Sequence, residues 1–128
     1  MIRGYEDGKE QREIDADWAS LSRLDGTLVC YAGPLQLPQI VHSLISHGRP
    51  PDEPAAVIYD GSLPTQHTVD GTLAHLADAL PKSTERRPGV LIVGRVAALR
   101  EHLRWYDERP LFGKRVLVTR PRGQAAEF

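Results

Sequence analysis

The chain has one cysteine, so no disulfide framework can form within it. Cys30 lies in the apolar run 27–31 with no charged side chain beside it. That is the setting of a buried strand thiol, not of an activated nucleophile. Net charge is also scarce: a formal value of −1 leaves no basic footprint for nucleic acid. Arg115, Arg120 and Arg122 cluster only locally, as a solvated tail does, with a phosphate contact as the alternative. No apolar run approaches the ~20 residues of a membrane span, and the charged start Met1-Ile-Arg-Gly-Tyr-Glu-Asp7 lacks a signal-peptide pattern. The expectation is a soluble, cytoplasmic chain without nucleic-acid or membrane partners.

Chemistry-bearing motifs are equally sparse. There is no G-x-G-x-x-G or Walker loop to cradle a phosphate. His42, His47, His67, His75 and His102 show no ligand spacing, so no metal site is expected. No Ser/His/Asp ordering stands out, and Asp60 precedes Gly61 as in an ordinary turn pair. No catalytic residue is assigned.

What the sequence does contain is punctuation. Residues 1–15 are dense in charge and glycine and read as a linker or arm. Asp17 is placed to cap a short helix with Trp18, Leu21 and Leu24 on one face. Residues 27–31 form a continuous apolar run, as in a strand covered on both faces. Leu37, Ile40, Val41, Leu44 and Ile45 follow at helical spacing, with Pro38 tolerable in the first turn and Gly48 marking the stop. Ala55-Ala-Val-Ile-Tyr59 reads as a second strand and residues 66–69 as a weaker third. Leu73, Leu76 and Leu80 make a short helix closed by Pro81. Val90-Leu-Ile-Val93 is a further buried strand, and Val96, Leu99, Leu103 and Tyr106 make the last helix.

Alternating strands and helices argue for an α/β fold. The connection from Tyr59 to Gln66 is too short for a helix and demands a hairpin-like return. The sheet is therefore expected to be mixed, roughly five-stranded and covered by helices. Gly33, Gly61 and Gly94 each follow an apolar strand or its edge. Plain turn chemistry accounts for such glycines. They also let backbone groups approach a ligand at strand carboxyl ends.

Several runs, taken in order, resemble one family. They are Thr27-Leu-Val-Cys-Tyr-Ala-Gly33, Leu37-Pro-Gln-Ile40, Gly48-Arg-Pro-Pro51 and Ala56-Val-Ile-Tyr-Asp-Gly61. Gly71-Thr-Leu73, Leu91-Ile-Val-Gly94, Val96-Ala-Ala-Leu-Arg100 and Leu103-Arg-Trp105 continue the series. Together they resemble the C-terminal half of uroporphyrinogen-III C-methyltransferase, a tetrapyrrole methylase that uses S-adenosylmethionine. Pro110-Leu-Phe-Gly-Lys-Arg-Val-Leu-Val-Thr-Arg-Pro121 resembles the start of uroporphyrinogen-III synthase.

The resemblance implies three parts: a linker and short helix over residues 1–24, the second domain of the methylase fold over 25–109, and a truncated synthase start over 110–128. From Lys114 onward the chain is expected to be mobile, or ordered only by borrowed edge pairing. The resemblance further implies half an active site, with Ala32, Gly33 and Gly61 on the cofactor side. Ala32 stands where the family usually has methionine and His67 where it usually has arginine, while Pro64 and Gln66 are retained. The implied partners are an N-terminal methylase domain, uroporphyrinogen III on the route to sirohaem and cobalamin, and a second copy in a homodimer. The alternative is a diverged, non-catalytic assembly or dimerisation domain.

Overall fold

The computed structural model describes residues 2–3, 16–80, 88–117 and 119. Ile2–Arg3 forms a short strand, β1, that pairs in parallel with Cys30 and Tyr31. The arm expected over residues 1–15 therefore contributes a sheet edge, and its remaining residues lie outside those described. Asp17 caps helix α1 (Trp18–Arg23) as its position suggests: its carboxylate accepts from the Ser20 amide at 3.0 Å and the Ser20 hydroxyl at 2.6 Å. These bonds to Ser20 hold the Asp17 carboxyl below its ordinary pKa. Leu24 departs from expectation: α1 ends at Arg23, and Leu24 turns extended and about half exposed.

Strand β2 (Leu28–Ala32) leads into helix α2 (Gln36–Ser46), which buries Leu37, Ile40, Val41 and Leu44. Pro38 sits in the first turn, where its missing N–H has no intrahelical partner to lose. Gly48 ends the helix at φ +99°. Its N–H reaches the Ile45 carbonyl at 3.0 Å while the Arg49 N–H reaches that of Leu44 at 2.9 Å, the paired bonds of a Schellman stop.

The hairpin return is present: β3 (Pro54–Tyr59) and β4 (His67–Thr72) pair antiparallel along their whole length. Thr72 then caps α3 (Leu73–Ala79), its hydroxyl accepting from the His75 N–H at 3.2 Å. Pro81, expected to close this helix, lies outside the described residues. Strand β5 (Gly89–Val93) completes a five-stranded sheet in the order β1-β2-β5-β3-β4. Only β1–β2 is parallel among these neighbours, so the sheet is mixed.

One core layer joins α2 and α3 to Leu28, Cys30 and Ala32 of β2, Val57 of β3 and Leu91 and Val93 of β5. The expectation that β2 is covered on both faces is corrected. Its burial alternates, and Val29 and Tyr31 are each 38% exposed. The helices take one face, so the apolar run is a half-covered strand.

The last helix is also corrected. Gly94, at φ +136°, turns the chain into a 3₁₀ segment (Arg95–Leu99) followed by a short α4 (Arg100–Leu103). Val96, Leu99 and Leu103 are roughly half exposed, so their spacing does not mark a buried face among the described residues. Charge anchors this segment instead, through Arg100 to Asp107 at 2.5 Å and to Asp70 at 3.6 Å. Beyond it, residues 114–117 join no strand, and Leu117 is 86% exposed. Val118 and residues 120–128 fall outside the description, so the expected borrowed pairing there stays an expectation.

Candidate cofactor-binding edge

Topology brings the expected site residues to one edge. β2 and β3 both run antiparallel to β5, so they are parallel to each other with β5 between them. One row of the register crosses the sheet there: Ala32 opposite Gly89, Gly89 opposite Tyr59, and Tyr59 opposite His67. Gly33 and Gly61 thus leave the sheet on the same side, two strand spacings or about 10 Å apart. Gly94, ending the oppositely directed β5, leaves on the other side. The similar-looking glycines divide into two groups.

The Gly33 turn is closed. Ala32 has 0% exposure and lies in the core with Cys30, and Gly33 is buried behind it. The Gly33 N–H donates to Gln36 Oε1 at 3.1 Å, and its carbonyl accepts from the Gln36 and Leu37 amides at 3.0 and 3.1 Å. Neither residue presents open backbone.

The Gly61 turn is different. Asp60 and Ser62 both have positive φ, +50° and +67°, a conformation that costs a non-glycine residue roughly 1–3 kcal/mol. Hydrogen bonds offset that cost on both sides. The Asp60 carbonyl accepts from the Leu63 N–H at 3.0 Å, and its carboxylate accepts from the Thr65 hydroxyl at 3.0 Å. The Ser62 N–H donates to Gln66 Oε1 at 2.7 Å, and the Tyr106 hydroxyl donates to the Ser62 carbonyl. Between these engaged neighbours Gly61 is exposed, and among the described residues nothing hydrogen-bonds to it. A Cβ there would meet only Ile58 Cγ2, at 3.6 Å.

The segment after α4 backs this turn. Tyr106 packs edge-on to Phe112 at 5.5 Å and to Trp105 at 5.8 Å, with the Arg109 guanidinium over both Trp105 and Tyr106. A Cβ on Gly113 would stand 3.5 Å from the Pro64 carbonyl. At Asp107 burial works to raise the carboxyl pKa, but the bond and charge of Arg100 outweigh it and leave it lowered.

The remaining candidates sort quickly. Burial pushes the Cys30 thiol up to about 11, so it stays protonated near neutrality. The Asp60 carboxylate is taken up within its own turn. His67 is exposed at the start of β4. No group of three metal-ligating side chains occurs among the described residues. Sequence reasoning missed Gln36 and Tyr106, and quoted Gln66 without a role. Periodicity placed Tyr106 only on the apolar row of the last helix, and it carries no signal for a polar side chain that bonds to a turn.

The exposed turn at Gly61 lies at the carboxyl end of β3, the side of an α/β sheet where ligands commonly gather. Residues 5–77 match the family of Tetrapyrrole (Corrin/Porphyrin) Methylases, and the chain belongs to that family. It is 43% identical over 107 residues to a siroheme synthase of Neisseria meningitidis serogroup B, covering 84% of this chain and 22% of that protein. It is 32% identical over 122 residues to the porphyrin biosynthesis protein HemD of Ruminiclostridium josui, covering 95% of this chain and 24% of that one. The crystal structure of uroporphyrin-III C-methyl transferase from Thermus thermophilus, complexed with S-adenyl homocysteine, superposes with a TM-score of 0.58 at 26% identity. That match covers 77% of this chain and 42% of the Thermus chain. The chain thus spans about a quarter of the curated relatives it matches.

Proposed function

We propose that this chain is the C-terminal half of an S-adenosylmethionine-dependent uroporphyrinogen-III C-methyltransferase acting in sirohaem and cobalamin biosynthesis. It would supply one wall of the cofactor cleft, and an N-terminal methylase domain the other. The observation that carries this reading is the Gly61 turn: an exposed backbone at a strand end, unengaged among the described residues, in a chain of this family. The residues fit the cofactor at Gly61, where a ligand can approach without a side chain intervening. The fit is narrower at Ala32 and Gly33, which are enclosed, with the Gly33 N–H occupied by Gln36. We assign those two residues a close-packed place on the same side of the sheet, two strands from Gly61.

S-adenosylmethionine, when bound, supplies an activated methyl group for a pyrrole carbon. This half holds and orients the donor, and needs no acid or base of its own to do so. The isolated chain is therefore expected to show no methyl transfer to uroporphyrinogen III. We also propose homodimer assembly, and a boundary near residue 110 where a synthase domain begins. The similarity to the Ruminiclostridium porphyrin biosynthesis protein covers 122 residues and so runs past that point.

The test is a titration of the isotope-labelled chain with S-adenosylhomocysteine, followed at backbone amides. Shifts centred on Gly61, with Gly94 at the opposite edge unmoved, are expected. Shifts centred on Gly94, or none up to ligand solubility, overturn the assignment. A second reading, an assembly domain whose cofactor contacts have decayed, draws on the half-exposed row Val96, Leu99 and Leu103 and on the enclosed Ala32. It requires the titration to be silent.

A further inference from the structure

Two side chains from distant parts of the chain converge on a single residue beside Gly61. The Gln66 carboxamide accepts from the Ser62 N–H at 2.7 Å, and the Tyr106 hydroxyl donates to the Ser62 carbonyl. Ser62 is thereby fixed at φ +67° with both backbone groups engaged, while Gly61 next to it has neither engaged among the described residues. Without these bonds a serine has no reason to hold a left-handed conformation, and Gly61, lacking a Cβ, would sample many orientations.

We infer that Gln66 and Tyr106 are positioning residues. By clamping Ser62 they hold the exposed Gly61 backbone in one conformation for the adenosyl-class cofactor. This rests on the proposed role of Gly61 and adds to it the residues that make the role possible. Fixing one backbone residue in advance spares binding an ordering cost on the order of tenfold in affinity. Tyr106 lies 44 residues from Ser62 in sequence, so the segment after α4 takes part in holding the turn. The bond from Gln66 needs only an acceptor oxygen, whereas the bond from Tyr106 needs the hydroxyl and not the ring.

Three variants of the chain test this in the same titration with S-adenosylhomocysteine: Gln66→Leu, Gln66→Glu and Tyr106→Phe. Gln66→Leu and Tyr106→Phe are each expected to weaken the response at Gly61 about three- to tenfold. Gln66→Glu keeps an acceptor for the Ser62 N–H and is expected to restore binding to within about twofold of the parent. A merely structural role would lower the melting temperature without this pattern of loss and rescue. If folded Gln66→Leu and Tyr106→Phe bind as the parent does, or if Gln66→Glu fails to rescue, the inference is overturned while the role of Gly61 stands. If Gln66→Leu does not fold, Tyr106→Phe decides, because it retains the packing on Trp105 and Phe112. A silent titration of the parent chain removes the role of Gly61 itself, and the inference with it.

Discussion

The two edges of the sheet are built from similar residues and end up as opposites. At the edge where β2 and β3 begin, Arg49 is 4% exposed and fully engaged. Its guanidinium forks onto Glu53 at 2.5 and 2.8 Å and donates to the Leu24 and Gly26 carbonyls at 2.7 and 2.9 Å. Gly94 closes the same edge, its N–H on the Pro54 carbonyl at 2.8 Å. These polar groups tie loops together. At the other edge the polar bonds hold the flanks of a turn and, among the described residues, leave Gly61 unengaged. A glycine after a strand is thus no sign of a site by itself; what separates the two kinds is whether the backbone beside it is consumed.

The largest effect that sharpens this contrast is expected at Arg49. Arg49→Met removes one partner of a buried pair and leaves Glu53 and two carbonyls without their donor. That should cost about 3–5 kcal/mol, a large fraction of a typical stability of about 5–15 kcal/mol. Urea unfolding measures it, and a loss below about 1 kcal/mol would mean that the clamp is solvent-compensated. Next come the two glycines. A Cβ on Gly94 would lie 3.1 Å from Thr27 Cα, on a backbone at φ +136°. Gly94→Ala should therefore destabilise by about 1–3 kcal/mol. Gly61→Ala has room and no positive φ, and should stay within about 0.5 kcal/mol of the parent. Equal costs at the two positions would erase the distinction between the edges.

Much of the frame was legible because its signals are local. Asp17 before an apolar row, Gly48 before two prolines, and the short step from Tyr59 to Gln66 each produced the element expected. The same holds for Gly61 at a strand end. What was not legible depends on distance in the chain. Arg49 reads as a loop arginine until the carbonyls of Leu24 and Gly26 arrive beside it. Tyr106 acquires a role only once the fold carries it across 44 residues to Ser62, whereas Gln66 is four residues from Ser62 and escapes notice because no pattern marks its bond to the turn. The half-exposed Val29 and Tyr31 fall in the same class, since an apolar run does not say how many of its faces are covered.

A smaller, pH-dependent effect bears on the support behind the Gly61 turn. The Asp107 carboxyl is held lower in the folded chain than in the unfolded one. Its contribution is therefore present above the ordinary carboxylate range near 3.8 and is lost as pH falls through the lowered folded value. Because the pair with Arg100 is near the surface, the effect should be well under 1 kcal/mol. Asp107→Asn should remove it, so that the melting temperatures of parent and variant converge as pH falls below the ordinary carboxylate range near 3.8. Curves that stay parallel across that range would show that Arg100 and Asp107 do not support the turn.

The smallest expected effect separates the part of the C-terminal segment that serves the Gly61 edge from the part that does not. Tyr106, Phe112 and Gly113 lie against one another or against the turn over residues 60–66. From Lys114 the contacts fall away: after the Lys114 N–H meets the Leu111 carbonyl at 3.1 Å, residues 115–117 are exposed and join no strand. Exposed apolar side chains such as Leu117 gain nothing from folding this domain, since their surface stays in water. Truncation after Gly113 should then leave the melting temperature within about 2 °C, corresponding to less than about 0.5 kcal/mol for a domain of this size, and should leave the Gly61 response to S-adenosylhomocysteine unchanged. Truncation after Arg104, which removes Tyr106, should weaken that response as Tyr106→Phe does. If the shorter cut after Gly113 already collapses the melting transition, residues 116–118 belong to the core of this domain, and the proposed boundary near residue 110 is misplaced.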